Sequence, residues 1–195
     1  MKAASLTALK RQAEHCRNCP LWKNATQTVF GEGSRKAKIV LVGEQPGKQE
    51  DLAGRPFVGP AGQLLDRALA EAGIERTNVW LTNAVKHFKW KPRGKLRIHQ
   101  KPSAGEIDAC KPWLLAELAL LKPKTIVLLG ATAGRSLTRR PVSVMKSRGI
   151  LEVPGFAARV VMTIHPSFLL RIRDRESFES EFERFVEDLK LCLEA

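Results

Sequence analysis

Four short apolar runs set the rhythm of this chain. Ile39-Val40-Leu41-Val42 ends at a glycine, and Val79-Trp80-Leu81-Thr82, Thr125-Ile126-Val127-Leu128-Leu129 and Val160-Val161-Met162-Thr163 repeat the pattern. Continuous apolar runs of this length, without polar alternation, predict strands buried on both faces. Helical stretches separate them. Leu6, Leu9 and Ala13 share one face of a short amphipathic helix within Met1 to His15. Ala61 to Ala72 reads as a helix that stops at Gly73, and Lys111 to Leu121 as one that stops before Pro123. Ser103-Ala104-Gly105-Glu106 has the form of a capping box opening the helix that carries Cys110. Strands alternating with helices predict an α/β fold, a three-layer α/β/α sandwich around a central parallel sheet, as one domain over residues 1–195. No internal repeat or low-complexity segment interrupts it.

Folds of this class gather their chemistry beyond the carboxyl ends of the strands. Glu44, Asn83 and His165 each fall just past a predicted strand. Gly130-Ala131-Thr132-Ala133-Gly134 also follows a strand, but it lacks the lysine of a phosphate-binding P-loop. Close packing of strand against helix explains its glycines better.

Charge adds a partner to this picture. The 195 residues carry a formal net charge of +13, which points to a polyanion. From Ile172 to Ala195 there are eight acidic and four basic residues, leaving about +17 on the first 171. The acidic tail segment is therefore expected to lie away from a bound polyanion. Lys86 to Lys101 holds seven basic residues and no acidic one, with Phe88 and Trp90 among them and His99 near its end. A basic loop with interleaved aromatics reads as a phosphate-seeking surface. Ribosomal or other structural nucleic-acid binding fits the charge equally well. No apolar run approaches the roughly 20 residues of a membrane span, and Met1 to His15 lacks the apolar core of a signal peptide. An intracellular protein is expected, in which disulfides are an unfavoured use of cysteine.

Cys16-Arg17-Asn18-Cys19 is a Cys-x-x-Cys pair, half of a metal site. Cys110 and Cys192 remain, and Cys192, near the end of an amphipathic helix, reads as a small buried side chain.

Gly43-Glu44-Gln45-Pro46-Gly47, Gly54-Arg55-Pro56-Phe57-Val58-Gly59-Pro60-Ala61-Gly62, Asn83 and His165-Pro166-Ser167-Phe168-Leu169-Leu170-Arg171 resemble the iron–sulfur, family 4-like uracil-DNA glycosylases. The basic segment ending in Arg97-Ile98-His99 is similar to the UdgX subgroup, whose members become covalently attached to uracil-containing DNA through this histidine. The likeness runs from about Cys16 to Arg171, and four motifs in the right order carry it. It implies a 4Fe–4S cluster held by Cys16, Cys19, Cys110 and, where the related proteins keep a further cysteine, His87. Three cysteines and one histidine also describe a structural zinc site, and spacing leaves the two metals open. His15, beside Cys16, reads as a bystander.

The resemblance implies a base pocket as well. A base leaves the stack to be read on its Watson–Crick edge and held on its face. Phe57 would stack on it, Asn83 would pair with its edge, and Gly43, Gln45 and Ser167 would complete the wall. His165 would donate to uracil O2 as negative charge develops. A carboxylate near the sugar would favour its positive charge, with Glu44 first and Asp51 second in line; Glu50 and Asp51 also read as a solvated loop pair. Lys48 stands where UdgX-like sequences usually carry an acidic residue. His99 would attack the sugar C1′ and remain attached. Lys95 and Arg97 would bind flanking phosphates, Leu169 or Leu170 would fill the gap left by the flipped base, and Arg171 would contact phosphate or brace its loop. The implied partner is uracil-containing DNA, single-stranded DNA favoured, and the implied protein a monomer. A multiple-turnover hydrolase and a metal-stapled nucleic-acid-binding module without bond cleavage are the competing readings. Backbone binding alone needs no base pocket, which counts against the last.

Overall fold

The computed structural model describes residues 3–193. Six strands form one mixed sheet: β1 (Glu32–Gly33), β2 (Ile39–Gly43), β3 (Val79–Asn83), β6 (Thr125–Leu129), β7 (Gly149–Ile150) and β8 (Arg159–Thr163). A separate antiparallel ribbon, β4 (Trp90–Arg93) with β5 (Leu96–His99), stands apart. The sheet order is β1-β3-β2-β6-β8-β7. Its four central strands run parallel, and the two-residue strands at both edges pair antiparallel. The central sheet is thus parallel as expected, and the antiparallel edges make it mixed.

Alternate residues of the central strands feed two cores. Val40, Val42, Trp80, Ile126, Leu128, Val160 and Met162 face one side, where α1 (Leu6–Glu14) and α4 (Ala104–Leu121) cover them with Leu9, Ala13, Leu114 and Leu118. Leu41, Leu81, Val127, Leu129 and Val161 face the other, under α3 (Pro60–Glu71) and α8 (Arg175–Lys190). The two faces account for the unbroken apolar runs, since in a strand every second side chain changes sides. Cys192 lies in the second core, away from Cys16, Cys19 and Cys110 in the first.

Local signals place the helices. Ser103 caps α4 by accepting from Glu106 N, while the Glu106 carboxylate accepts from Ser103 N at 2.6 Å; the helix therefore opens at the expected capping box and runs on through the Lys111 to Leu121 stretch. Pro60 opens α3 at a position where a missing N–H costs nothing. The expected N-terminal helix is α1, and Met1 and Lys2 of the predicted segment lie outside the described residues. Three shorter helices, α2 (Lys48–Ala53), α6 (Val144–Ser147) and α7 (Pro166–Leu169), crowd the carboxyl ends of the strands, and α5 (Ala131–Thr138) follows β6 directly. A Cβ on Gly130 would lie 3.0 Å from His165 Cβ, and one on Gly134 3.1 Å from Met162 Cε. Close strand-to-helix packing is what these glycines serve.

Candidate active site

A cleft of about 790 Å³ opens where β2 and β6 send their following segments to opposite sides of the sheet. Glu44 and Gln45 come from the end of β2, Asn83 from the end of β3, Gly130 from the end of β6, and His165 from beyond β8. Phe57, His99, Ser167, Leu170 and Arg171 also line it, as does Lys48.

Phe57 forms one wall under constraint. It is buried and holds φ at 54°, a left-handed value uncommon outside glycine. Two contacts secure it: Arg76 donates to the Phe57 carbonyl at 3.2 Å, and Gly62 passes so close that a Cβ there would lie 2.0 Å from that oxygen. Gly43 has the same duty, since its missing Cβ would meet Asn83 Oδ1 at 2.4 Å and Phe57 Cζ at 2.6 Å. The amide of Asn83 and the ring of Phe57 thus converge over Gly43. The Phe57 ring also stacks near His165, with centroids 6.2 Å apart and planes 26° from parallel.

The protonation of His165 is set by its neighbours. Its Nδ1 accepts from Ser167 N at 3.1 Å and lies 2.8 Å from Ser167 Oγ. A ring nitrogen that accepts from a backbone N–H is bare, so Nε2 carries the proton. Burial, helped by His99 and the Arg171 guanidinium, pushes the pKa of His165 down to about 4. At neutral pH it is an uncharged donor. That suits it to meet a developing anion without carrying a cation in the ground state.

His99 sits at the end of β5, 3.3 Å from Glu44 Oε1 and 2.8 Å from Gln45 Nε2, both measured at its Nε2. The Gln45 amide is oriented by Lys89 N donating to its Oε1 at 3.1 Å and by its own donation to the Gln100 carbonyl at 3.0 Å. A bare Nε2 is therefore met by an amide N–H, and a protonated one by a carboxylate. Glu44 is held from its other side by Thr132 Oγ1 at 2.5 Å, a partner with no sequence signal.

Several predicted roles need correction. Asp51 does not line the cleft. It is fully buried and accepts from Thr26 N at 2.9 Å, Thr26 Oγ1 at 2.6 Å and Arg97 at 3.0 Å, so it is a structural anchor. Glu50 is no solvated loop residue either, because its carboxylate gathers Gly47 N, Val58 N and Gly59 N around the Phe57 loop. Arg97 is turned inward onto Asp51 and Thr26 and lies over the Trp90 ring at 4.8 Å, rather than reaching out for phosphate. Lys91, Arg93 and Lys95 are the exposed cations of the ribbon. Leu169 is buried in the core, whereas Leu170 is half exposed at the cleft rim beside Phe168. Lys86, counted in the basic run, is buried.

The expected metal ligands are tested by their donor chemistry. Cys16 Sγ accepts from Trp113 Nε1 at 3.1 Å, Cys110 Sγ from Lys86 N at 3.2 Å, and Cys19 from Leu21 N. Each of the three buried sulfurs has an N–H donor, as cluster thiolates do. Burial pushes the Cys110 thiol up to about 12, so an unbound thiolate there is unfavourable. His87 Nε2 lies 2.9 Å from Thr28 Oγ1, whose own hydrogen goes to the Ala13 carbonyl at 3.0 Å. The proton of His87 is then on Nε2, and its Nδ1 is a buried lone pair with no hydrogen-bond partner. The donors fit a thiolate–imidazole group, although no three His, Cys, Asp or Glu side chains among the described residues converge as a metal cage.

No helix among the described residues is long and apolar enough to cross a membrane. Residues 30–190 match the family described as the Uracil DNA glycosylase superfamily. The chain is 41% identical over 170 residues to a type-4 uracil-DNA glycosylase of Thermotoga maritima, covering 86% of this chain and 84% of that one. It is 36% identical over 192 residues to a type-4 uracil-DNA glycosylase of Archaeoglobus fulgidus, at 94% and 92% coverage. A type-5 uracil-DNA glycosylase of Pyrobaculum aerophilum is 27% identical over 180 residues, at 83% and 75% coverage.

Proposed function

The chain belongs to the uracil DNA glycosylase superfamily, and from that premise we propose that it releases uracil from DNA and then captures the abasic sugar through His99. The observation that carries the capture step is the placement of His99 on the cleft wall, with Nε2 between the Gln45 amide and the Glu44 carboxylate. Flipped uracil enters between Phe57 and Asn83. The bond from C1′ to N1 breaks with its electron pair leaving on uracil, and the charge that reaches O2 is met by the Nε2 proton of neutral His165. Glu44 lies where a carboxylate can favour the cationic sugar. The bare nitrogen of His99 then donates its pair to C1′, giving an alkylated imidazolium; in a turnover enzyme water takes that place.

Cys16, Cys19, Cys110 and His87 Nδ1 would hold a 4Fe–4S cluster. When bound, it supplies a structural cross-link among the N-terminal turn, α4 and the segment entering the ribbon, with no redox step required. Purified protein is expected to be brown, with iron and acid-labile sulfide. Cys16→Ala, Cys19→Ala or Cys110→Ala should lose the metal and Cys192→Ala should retain it. Zinc without iron in protein prepared without air would falsify the cluster assignment.

A denaturing gel after incubation with uracil-containing single-stranded DNA tests the capture. A retarded band is expected from native protein, and His99→Ser should lose that band yet still release uracil. Abasic product without any retarded band assigns turnover hydrolysis instead, and neither product nor band would reduce the protein to a binding module.

A further inference from the structure

Lys86 is a buried cation that none of these steps uses. Its ammonium lies 2.5 Å from Glu117 Oε2, and the two side chains are 1% and 0% exposed. It also donates to Thr82 Oγ1 at 2.5 Å and to the Asn83 carbonyl at 2.9 Å, so its three protons have three partners. Glu117, in the body of α4, further accepts from Gly31 N at 3.1 Å, Trp80 Nε1 at 3.3 Å and Thr82 Oγ1 at 2.9 Å. The network is closed and buried, directly behind the carboxyl end of β3.

A buried ion pair is a weak source of stability, because apolar side chains of similar volume often serve as well. What this pair does instead is fix one peptide. The segment after β3 is tied to the end of β2 by Ala84 N to the Gly43 carbonyl at 2.9 Å and Val85 N to the Glu44 carbonyl at 3.0 Å. Those bonds leave the Asn83 carbonyl as the point still to be held, and Lys86 reaches back three residues to hold it. We propose that Lys86, braced by Glu117, is a positioning residue that sets the angle at which the Asn83 amide meets the base edge. The proposal rests on the reading of the cleft as a uracil pocket. An amide that must donate and accept at once loses its fit on a small rotation, whereas backbone binding of DNA does not.

A double-mutant cycle on the full chain tests this. Lys86→Met with Glu117→Leu removes both charges together at similar volume, and Asn83→Ala removes the amide. Single-turnover uracil release from a single-stranded oligonucleotide is measured at saturating protein for the native chain, each variant and their combination. The paired variant should slow release on the order of tenfold or more. It should bind the same oligonucleotide with thymine in place of uracil as the native protein does, with metal content unchanged. Removing the Asn83 amide from the paired variant should then cost far less than removing it from the native chain. Strictly additive losses, native release by the paired variant, or metal lost along with activity would each overturn the proposal. Should the paired variant fail to fold, Thr82→Val removes the hydroxyl shared by both charges and enters the same cycle, with the same meaning attached to additivity. Native protein that releases no uracil would sink the reading of the pocket itself, a result separate from every arm of the cycle.

Discussion

His165 shows how much of the chemistry resides in single atoms. The role proposed for it depends on a proton at Nε2, and that proton is directed there by Ser167 N donating to Nδ1. With the pKa pushed to about 4, the imidazole spectrum should show one neutral tautomer from neutral pH down to about pH 5. A ring that titrates near its ordinary 6.5 would contradict the assignment. On acidification the unfolded chain takes the proton first, so this residue's contribution to stability is intact above its ordinary pKa and is lost as pH falls from there through about 4. Replacing His165 with Ala should lower base release and adduct together, in contrast to His99→Ser. The adjacent leucines separate just as cleanly. Leu169→Ala should cost roughly 2–5 kcal/mol in a denaturant titration because it empties a core position. Leu170→Ala should leave stability within about 0.5 kcal/mol while weakening uracil release from duplex DNA.

On the proposed reading, the β4–β5 ribbon would govern the fate of the sugar once the base has left. Trp90 Nε1 donates to the Asn24 carbonyl at 2.9 Å, Arg97 reaches Asp51, and Gln45 clasps both ends of the ribbon. Truncating Arg97 leaves a buried carboxylate with fewer donors, and Arg97→Ala should cost roughly 1–3 kcal/mol, given the partial exposure of the pair. Adduct yield should fall more than release. Salt dependence distinguishes the inward cation from the outward one. Lys95→Ala should lower the slope of DNA affinity against salt by about 1, and Arg97→Ala should hardly change it, as anisotropy titrations would reveal. The central strands are legible in the sequence to within one residue, because burial on both faces leaves their apolar runs unbroken. The ribbon is not, because most of its side chains are polar and exposed, and Gly94-Lys95 is its sole turn signal. The inward course of Arg97, the thread from Thr132 to Glu44 and the Lys86–Glu117 pair have no sequence signature at all. Each depends on residues brought together across at least 31 positions of chain.

At the scale of the molecule, charge and chemistry are arranged together. Lys48 and Arg171 line the cleft and the ribbon that ends at His99 carries further exposed cations, while α8 carries acidic residues, two of which neutralise Arg148. Affinity for DNA should therefore fall steeply with salt as counterions are released. The edge strands β1 and β7, two residues each, escape sequence detection because they present no apolar run. The ribbon has a further consequence. Its ends are neighbours, with Gln100 N donating to the Lys89 carbonyl at 2.9 Å, so the chain departs from the sandwich and returns at almost the same point. On the proposed reading, capture would belong to a cassette inserted into the glycosylase fold. Joining Lys89 to Gln100 through a short glycine bridge should leave Phe57, Asn83 and His165 in place, so that uracil release continues without any adduct. Grafting the cassette between the corresponding positions of a glycosylase that forms no adduct should achieve the reverse.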